Sequence, residues 1–186
     1  MDNTNKIVAG SLLIAQPFTM DNYFKRSVVA ICEHRVDGSI GFILNKTVDM
    51  NITDLIGDFP EFESEVGFGG PVATDTIHYI HNVGEILDES IEIARGVYWG
   101  GDFEKLKFLI SSKLILPHNI RFFVGYSGWG ESQLEEELET GSWVVDQLHA
   151  NYAFKDSEQD LWQKVLHNKG ERYTVIAQMD EFQSMN

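Results

Sequence analysis

The sequence predicts an α+β fold in a single domain, and three observations carry that expectation. Short apolar runs with strand character crowd the first two-thirds of the chain. The helical segments are few and interrupt those runs irregularly, unlike the steady alternation of a doubly wound sheet. The chain has 186 residues, 43% of them hydrophobic and 12% aromatic, which suits one ordinary domain with a real core. At that size roughly 70% of the extended-chain surface is buried on folding. There is no internal repeat, low-complexity tract or Pro/Ser-rich linker, and prolines number only 4.

Strands are expected over residues 11–15, 27–34, 39–45, 65–68, 76–81 and 120–126. In 27–34 both alternating sets are apolar: Val28, Ala30 and Cys32 against Val29 and Ile31. Such a strand is covered on both faces. Asp37-Gly38 then supplies a favoured hairpin turn into the next run, so a first antiparallel pair is expected. Among helices, Asp102 caps 103–113, where Phe103, Leu106, Phe108, Leu109 and Ile110 form a broad apolar stripe and Pro117 follows the end. Asn51 caps a short helix over 52–56. Residues 133–138 form another, with Leu134 and Leu138 on one face. Ser157 with Asp160 resembles a capping box ahead of Leu161-Trp162 and Val165-Leu166.

The charge balance narrows the partners. Against 14 Lys and Arg stand 29 Asp and Glu, a net −15. Nucleic-acid affinity rests on cations that neutralise phosphates, so direct nucleic-acid binding is disfavoured. The longest basic run is Lys25-Arg26. The one cysteine, Cys32, rules out an intramolecular disulfide and fits a reducing compartment. Residues 1–6 carry an acid where a signal peptide would be basic, and no stretch of eighteen apolar residues occurs. A cytoplasmic protein without a membrane segment is expected.

The stretch from Phe123 to Glu137 reads as a strand, a glycine-rich turn and an acidic helix, and three mechanisms use such an arrangement. A phosphate loop would exploit backbone N–H groups at the helix start. Neither glycine-rich phosphate motif matches, and Glu131 and Glu135 to Glu137 oppose an anion. Gly125-Tyr126-Ser127-Gly128 matches the start of a nucleophile elbow, with Trp129 at its fifth position where glycine belongs. Asp146, Asp160, His149 and His167 follow, within fewer than sixty residues. A third candidate is Cys32, which on a regular strand shares a face with His34. Its alternative role is a small buried filler. His78 and His81, three apart on a strand, face opposite ways. No metal site and no cofactor are expected.

Read in order, several stretches form one pattern: Gly10-Ser11-Leu12-Leu13-Ile14-Ala15-Gln16-Pro17, Phe24-Lys25-Arg26-Ser27-Val28-Val29 and Ile31-Cys32-Glu33-His34. It continues through Gly38-Ser39-Ile40-Gly41-Phe42-Ile43-Leu44-Asn45, Gly69-Gly70-Pro71-Val72, Gly125-Tyr126-Ser127-Gly128-Trp129 and Gln133-Leu134-Glu135-Glu136-Glu137, with Trp143 and Trp162 beyond. The chain thereby resembles the AlgH-like (YqgE/AlgH) bacterial family, over a core of about residues 7–175 within one domain spanning 1–186. The resemblance implies a bifurcated, mostly antiparallel sheet rolled into a pseudo-barrel with short flanking helices. It also implies a cytosolic protein discussed as a transcriptional regulator, with no specific reaction attached. Family members commonly carry Ala at the place of Ser127, and many carry Gly at that of Ser132.

Carried over residue by residue, the resemblance selects His34, Asn45, Gly69, Gly70, Pro71, Tyr126, Trp129, Gln133 and Glu137 as binding candidates. Rings at Tyr126 and Trp129 beside amide and carboxylate groups would suit a ligand surface at strand ends. The same residues would equally serve to plug a barrel end and satisfy buried polar groups. The expected function is a non-catalytic binding or regulatory protein whose partner is a protein or small ligand. The alternative is an enzyme, either a hydrolase using Ser127 or a thiol-dependent activity using Cys32.

Overall fold

The computed structural model describes residues 6–155 and 159–184; the readings made on residues 1–5 and on the Ser157 cap lie outside them. Ten strands form one branched sheet, and six helices flank it among the described residues. The main path runs β10 (Trp143–Gln147), β1 (Ser11–Ala15), β2 (Val28–Arg35), β3 (Gly38–Ile43), β9 (Ile120–Gly130), β6 (Val72–His81), β8 (Val97–Trp99), β7 (Ile91–Ala94). All neighbours along it are antiparallel. The branch holds β4 (Thr47–Asn51) and β5 (Glu65–Phe68), and β5 lies parallel to β9.

The long strand β9 creates the fork. Its first half pairs with β5 through Phe122–Val124, and its second half pairs with β3 through Ser127–Gly130. β6 runs along its other edge. Twist cannot carry one flat sheet through that junction, so the two branches splay and curl. The two ends of the path come round toward each other: β7 and β10 line opposite sides of one groove of about 670 Å³. A Cβ on Gly10, just before β1, would lie 2.3 Å from the Ile93 carbonyl oxygen of β7. The expected bifurcated, rolled, mostly antiparallel α+β architecture is therefore present.

Burial follows the patterns in the sequence. The two faces of β2 feed separate cores, as its doubly apolar alternation requires. Val28, Ala30 and Cys32 join Phe42, Phe123 and the inner residues of α5 (Leu161–Lys169). Val29 and Ile31 join Leu13, Trp129 and Trp143. A further core under α1 (Ile52–Leu55) and α2 (Phe103–Ser111) gathers Ile52, Leu106, Leu109 and Phe122. Each such fully buried large side chain contributes about 1.5–3 kcal/mol. Asp102 caps α2, its carboxylate accepting from the Lys105 N–H at 2.8 Å. That helix ends before Lys113, whose φ of 58° lies in the left-handed region. At α1 the Asp54 carboxylate accepts from the Asn51 N–H at 2.9 Å. The other helices are α3 (Gln133–Glu139), α4 (Ala150–Phe154) and α6 (Glu171–Ser184).

Two expectations are corrected. The glycine-rich segment after Tyr126 is no turn: β9 continues as strand to Gly130. Of its glycines, Gly128 lies under the Tyr126 ring, where a Cβ would stand 3.1 Å from it, and Gly130 faces open space; the chain turns only at Ser132, where φ is 60°. The strand expected over 76–81 begins earlier, at Val72, and its pairing with β9 is irregular between Val72 and Ile77.

Candidate functional site

The Gly69-Gly70 pair sits in the fork of the sheet. The Gly69 N–H donates to Val124 O at 2.9 Å, and Gly69 O accepts from the Ile43 N–H at 3.0 Å. A Cβ on Gly70, whose φ is +152°, would stand 2.3 Å from the Tyr126 carbonyl carbon. One on Gly125, at φ +64°, would meet Gly70 O at 2.5 Å. No side chain fits between these backbones, so the pair is conformational and steric in origin. Pro71 follows, half-buried, at the entry to β6.

Ser127 belongs to this junction. It is 0% exposed, and its Oγ donates to Gly69 O at 3.0 Å. A hydroxyl committed to a carbonyl inside a strand cannot meet a solvent-borne carbonyl, and the elbow turn that would have raised it is absent. Cys32 fares similarly. A β-bulge between Ile31 and Glu33 adds a residue to β2. Beyond it the alternation is shifted, so Cys32 packs with Val28 and Ala30 while His34 pairs with Ser39. The expected shared face of Cys32 and His34 is therefore lost. Burial pushes the Cys32 thiol well up from its ordinary value, away from the reactive thiolate.

Three of the selected residues, Trp129, Gln133 and Glu137, converge with Trp143 on the end of β9. The Glu137 carboxylate, on α3, accepts from Trp129 Nε1 at 2.9 Å and Trp143 Nε1 at 2.7 Å through one oxygen. Its other oxygen accepts from Gln133 Nε2 at 3.0 Å. Gln133 Oε1 in turn accepts from the Gly130 N–H at 3.0 Å, fixing the turn from β9 into α3. The rings of Trp129, Trp143 and Phe24 pack together at centroid distances of 5.5–6.1 Å. Trp129 is 5% exposed, so its face is spent on this cluster rather than offered outward.

Tyr126 points the other way, packing edge-on against His78. It borders an open groove of about 350 Å³ with Glu33, Asp37, Ile40, Val72 and Gly128. Among the described residues no lysine or arginine lines it, although Arg35 pairs with Glu33 at 2.7 Å, and Trp129 also borders it. His34 lies across β3 in a different groove, sharing a 2.8 Å hydrogen bond with Ser39 and standing 3.6 Å from Glu135. Asn45 lies elsewhere again. Its Oδ1 accepts from the Val28 N–H at 2.8 Å and its Nδ2 donates to Arg26 O at 2.7 Å, clamping the start of β2. The selected residues thus occupy three surfaces, not one hollow.

The sequence reading passed over Arg26 and Asp180. Asp180 accepts from the Phe18 N–H at 2.8 Å and from Arg26 Nε at 2.7 Å. The only sequence signal was the basic pair Lys25-Arg26, read as weak evidence on nucleic acid; nothing local announces Asp180. His78 and His81 do face apart on β6. His81 is sealed, its Nε2–H donating to Gly100 O at 2.8 Å and its Nδ1 accepting from the Val83 N–H at 3.3 Å. Burial lowers the pKa of both histidines. Among the described residues no group of three or more His, Cys, Asp or Glu could hold a metal ion. No helix of the described residues is long and apolar enough to cross a membrane.

The curled, forked sheet is an architecture shared with known proteins. The chain belongs to the AlgH-like family (DUF179), whose model matches residues 12–174. A UPF0301 protein of Chlorobaculum parvum is 40% identical over 187 residues, covering 100% of both chains. One of Chlorobium phaeobacteroides is 39% identical over 181 residues, covering 97% of each. The fold is also that of two solved structures, each 22% identical. A crystal structure of protein DIP2367 from Corynebacterium diphtheriae superposes with a TM-score of 0.78, covering 95% of this chain and 94% of that one. The solution structure of AlgH from Pseudomonas aeruginosa gives 0.71, covering 95% and 97%.

Proposed function

We propose that this AlgH-like protein is a non-catalytic binding protein with a regulatory role, and that it recognises its partner through the groove beside Tyr126. The observation that carries this reading is the contrast between the locked nucleophiles and that open groove. Ser127 and Cys32 are both buried inside the sheet, while Tyr126 stands half-exposed between Glu33 and Asp37. A phenol face flanked by carboxylates suits a cationic group on an apolar stem, such as a lysine or arginine side chain of a protein or a small amine. A cytoplasmic, transcription-related role acting through such a partner rather than through DNA agrees with the net charge of −15.

Thermal-shift titration with basic peptides and polyamines tests the reading. A ligand at a hundred times its dissociation constant adds about 2.7 kcal/mol to stability. Binding is expected in the native protein and lost in Tyr126→Ala and Asp37→Lys. The absence of any shift across cationic ligands, or a shift that survives both substitutions, would reject the site. The enzyme alternative is checked by fluorophosphonate and iodoacetamide labelling of the folded protein, in which Ser127 and Cys32 are expected to stay unmodified.

A further inference from the structure

Around Asn45 the chain builds a second and quite different groove. It measures about 270 Å³ and is bordered by Lys25, Arg26, Lys46, Trp162 and one carboxylate, Asp160. Three of the chain's 14 Lys and Arg meet there, on a molecule with a net charge of −15.

Arg26 is held with unusual care. Its φ is 54°, in the left-handed region that a residue with a side chain rarely adopts. The Asn45 amide grips its carbonyl at 2.7 Å. Its guanidinium lies 5.4 Å over the ring of Trp162, which is itself fixed by donating to Ala15 O at 2.8 Å. Asp180 holds Nε at 2.7 Å. Yet Nη2, which is buried, has no hydrogen-bond partner among the described residues. A charged, buried donor left unmatched is costly and rare, and it calls for an acceptor. Beside it the Lys46 ammonium donates to Tyr23 O, so it too is fixed in place. Lys25 stands exposed at the rim.

We propose that this groove is a binding site for a small phosphate-bearing ligand, with Arg26, Lys46 and Lys25 as its donors and Asn45 as the residue that positions Arg26. A phosphate offers three acceptor oxygens and close to two negative charges, so it can take donors from several directions at once. A guanidinium nitrogen and two lysine ammonium groups on separate segments provide that spread. Burial lowers the pKa of the half-buried Lys46, with the nearby Asp21 carboxylate acting the other way, and a bound anion would favour its charged form. The site is independent of the carboxylate-lined groove at Tyr126, and the two would take ligands of opposite charge.

Isothermal titration calorimetry with inorganic phosphate, against sodium chloride at matched ionic strength and against citrate, tests the assignment. Saturable phosphate binding is expected. It should weaken roughly tenfold or more in the Lys25→Gln, Lys46→Gln double variant. It should persist in Lys169→Gln, which removes a cation from the groove between β7 and β10. Arg26→Lys should weaken it as well, since the charge stays but the fork is lost; should that variant fail to fold, the lysine pair decides. Heat matched by chloride, binding unchanged in the double variant, or binding of citrate without phosphate would each overturn the proposal.

Discussion

Two carboxylates, Glu137 and Asp180, each tie distant segments together, and the two clusters end differently. Glu137 takes three side-chain donors, from Trp129, Trp143 and Gln133. Asp180 takes one backbone and one side-chain donor, and the guanidinium it holds keeps a buried nitrogen without a partner. A polar cluster closed on itself fixes a structure. One that holds a charged donor still and leaves it unmatched is arranged for something that arrives later. The residues that the family resemblance selects, Trp129, Gln133 and Glu137, belong to the first cluster, and the geometry gives the second the stronger claim to a ligand.

That contrast can be broken by substitution. The largest effect is expected at the fork of the sheet: Gly70→Ala forces a Cβ to 2.3 Å from backbone and should cost about 3 kcal/mol or more, or prevent folding, as read by urea unfolding. Glu137→Ala strands two indole N–H groups and an amide and should cost about 3 kcal/mol by the same measurement, with Glu137→Gln recovering part of it. Arg26→Met leaves the buried Asp180 carboxylate with only the Phe18 N–H and should cost about 3 kcal/mol as well. Phosphate should raise the urea midpoint of the native protein and of Glu137→Ala but not that of Arg26→Met, and a rise in Arg26→Met would erase the distinction between the clusters.

The smallest effect concerns pH. His81 is neutral when folded, with Nδ1 accepting from the Val83 N–H, and burial lowers its pKa from 6.5. His78 shifts the same way. The unfolded chain therefore binds more protons just below pH 6.5, so stability is fully present above that value and falls as pH drops toward the lowered folded pKa values. Denaturant midpoints measured from pH 7.5 to 5 should decline, and the decline should shrink in His78→Gln.

What could be read from the sequence was what local pattern encodes. The double apolar alternation of residues 28–32 announced a strand between two cores, and Asp102 announced its helix. β7 and β8 escaped because they are short and partly exposed, held by pairing with neighbours rather than by periodicity. The glycines of β9 suggest a turn because sequence does not say whether a glycine serves a turn or a strand: Gly125 combines a φ of +64° with a close approach to Gly70 O, while Gly128 and Gly130 continue the strand. Of the site, the i, i+4 relation of Gln133 and Glu137 was accessible, whereas the bulge that parts Cys32 from His34 was not. Asp180 lies more than a hundred residues from Arg26, and no short-range signal links them.

Because β1 sits between β2 and β10, Leu12 faces both Ala30 and Asp146. A nascent polypeptide can form the first hairpin early, yet the outer flank of β1 stays unpaired until β10 has been made. β5 must likewise await β9 for its parallel partner. Loop-closure entropy makes such remote joins slow, so this protein is expected to refold sluggishly and to rely on chaperones during translation more than a helical bundle of equal length.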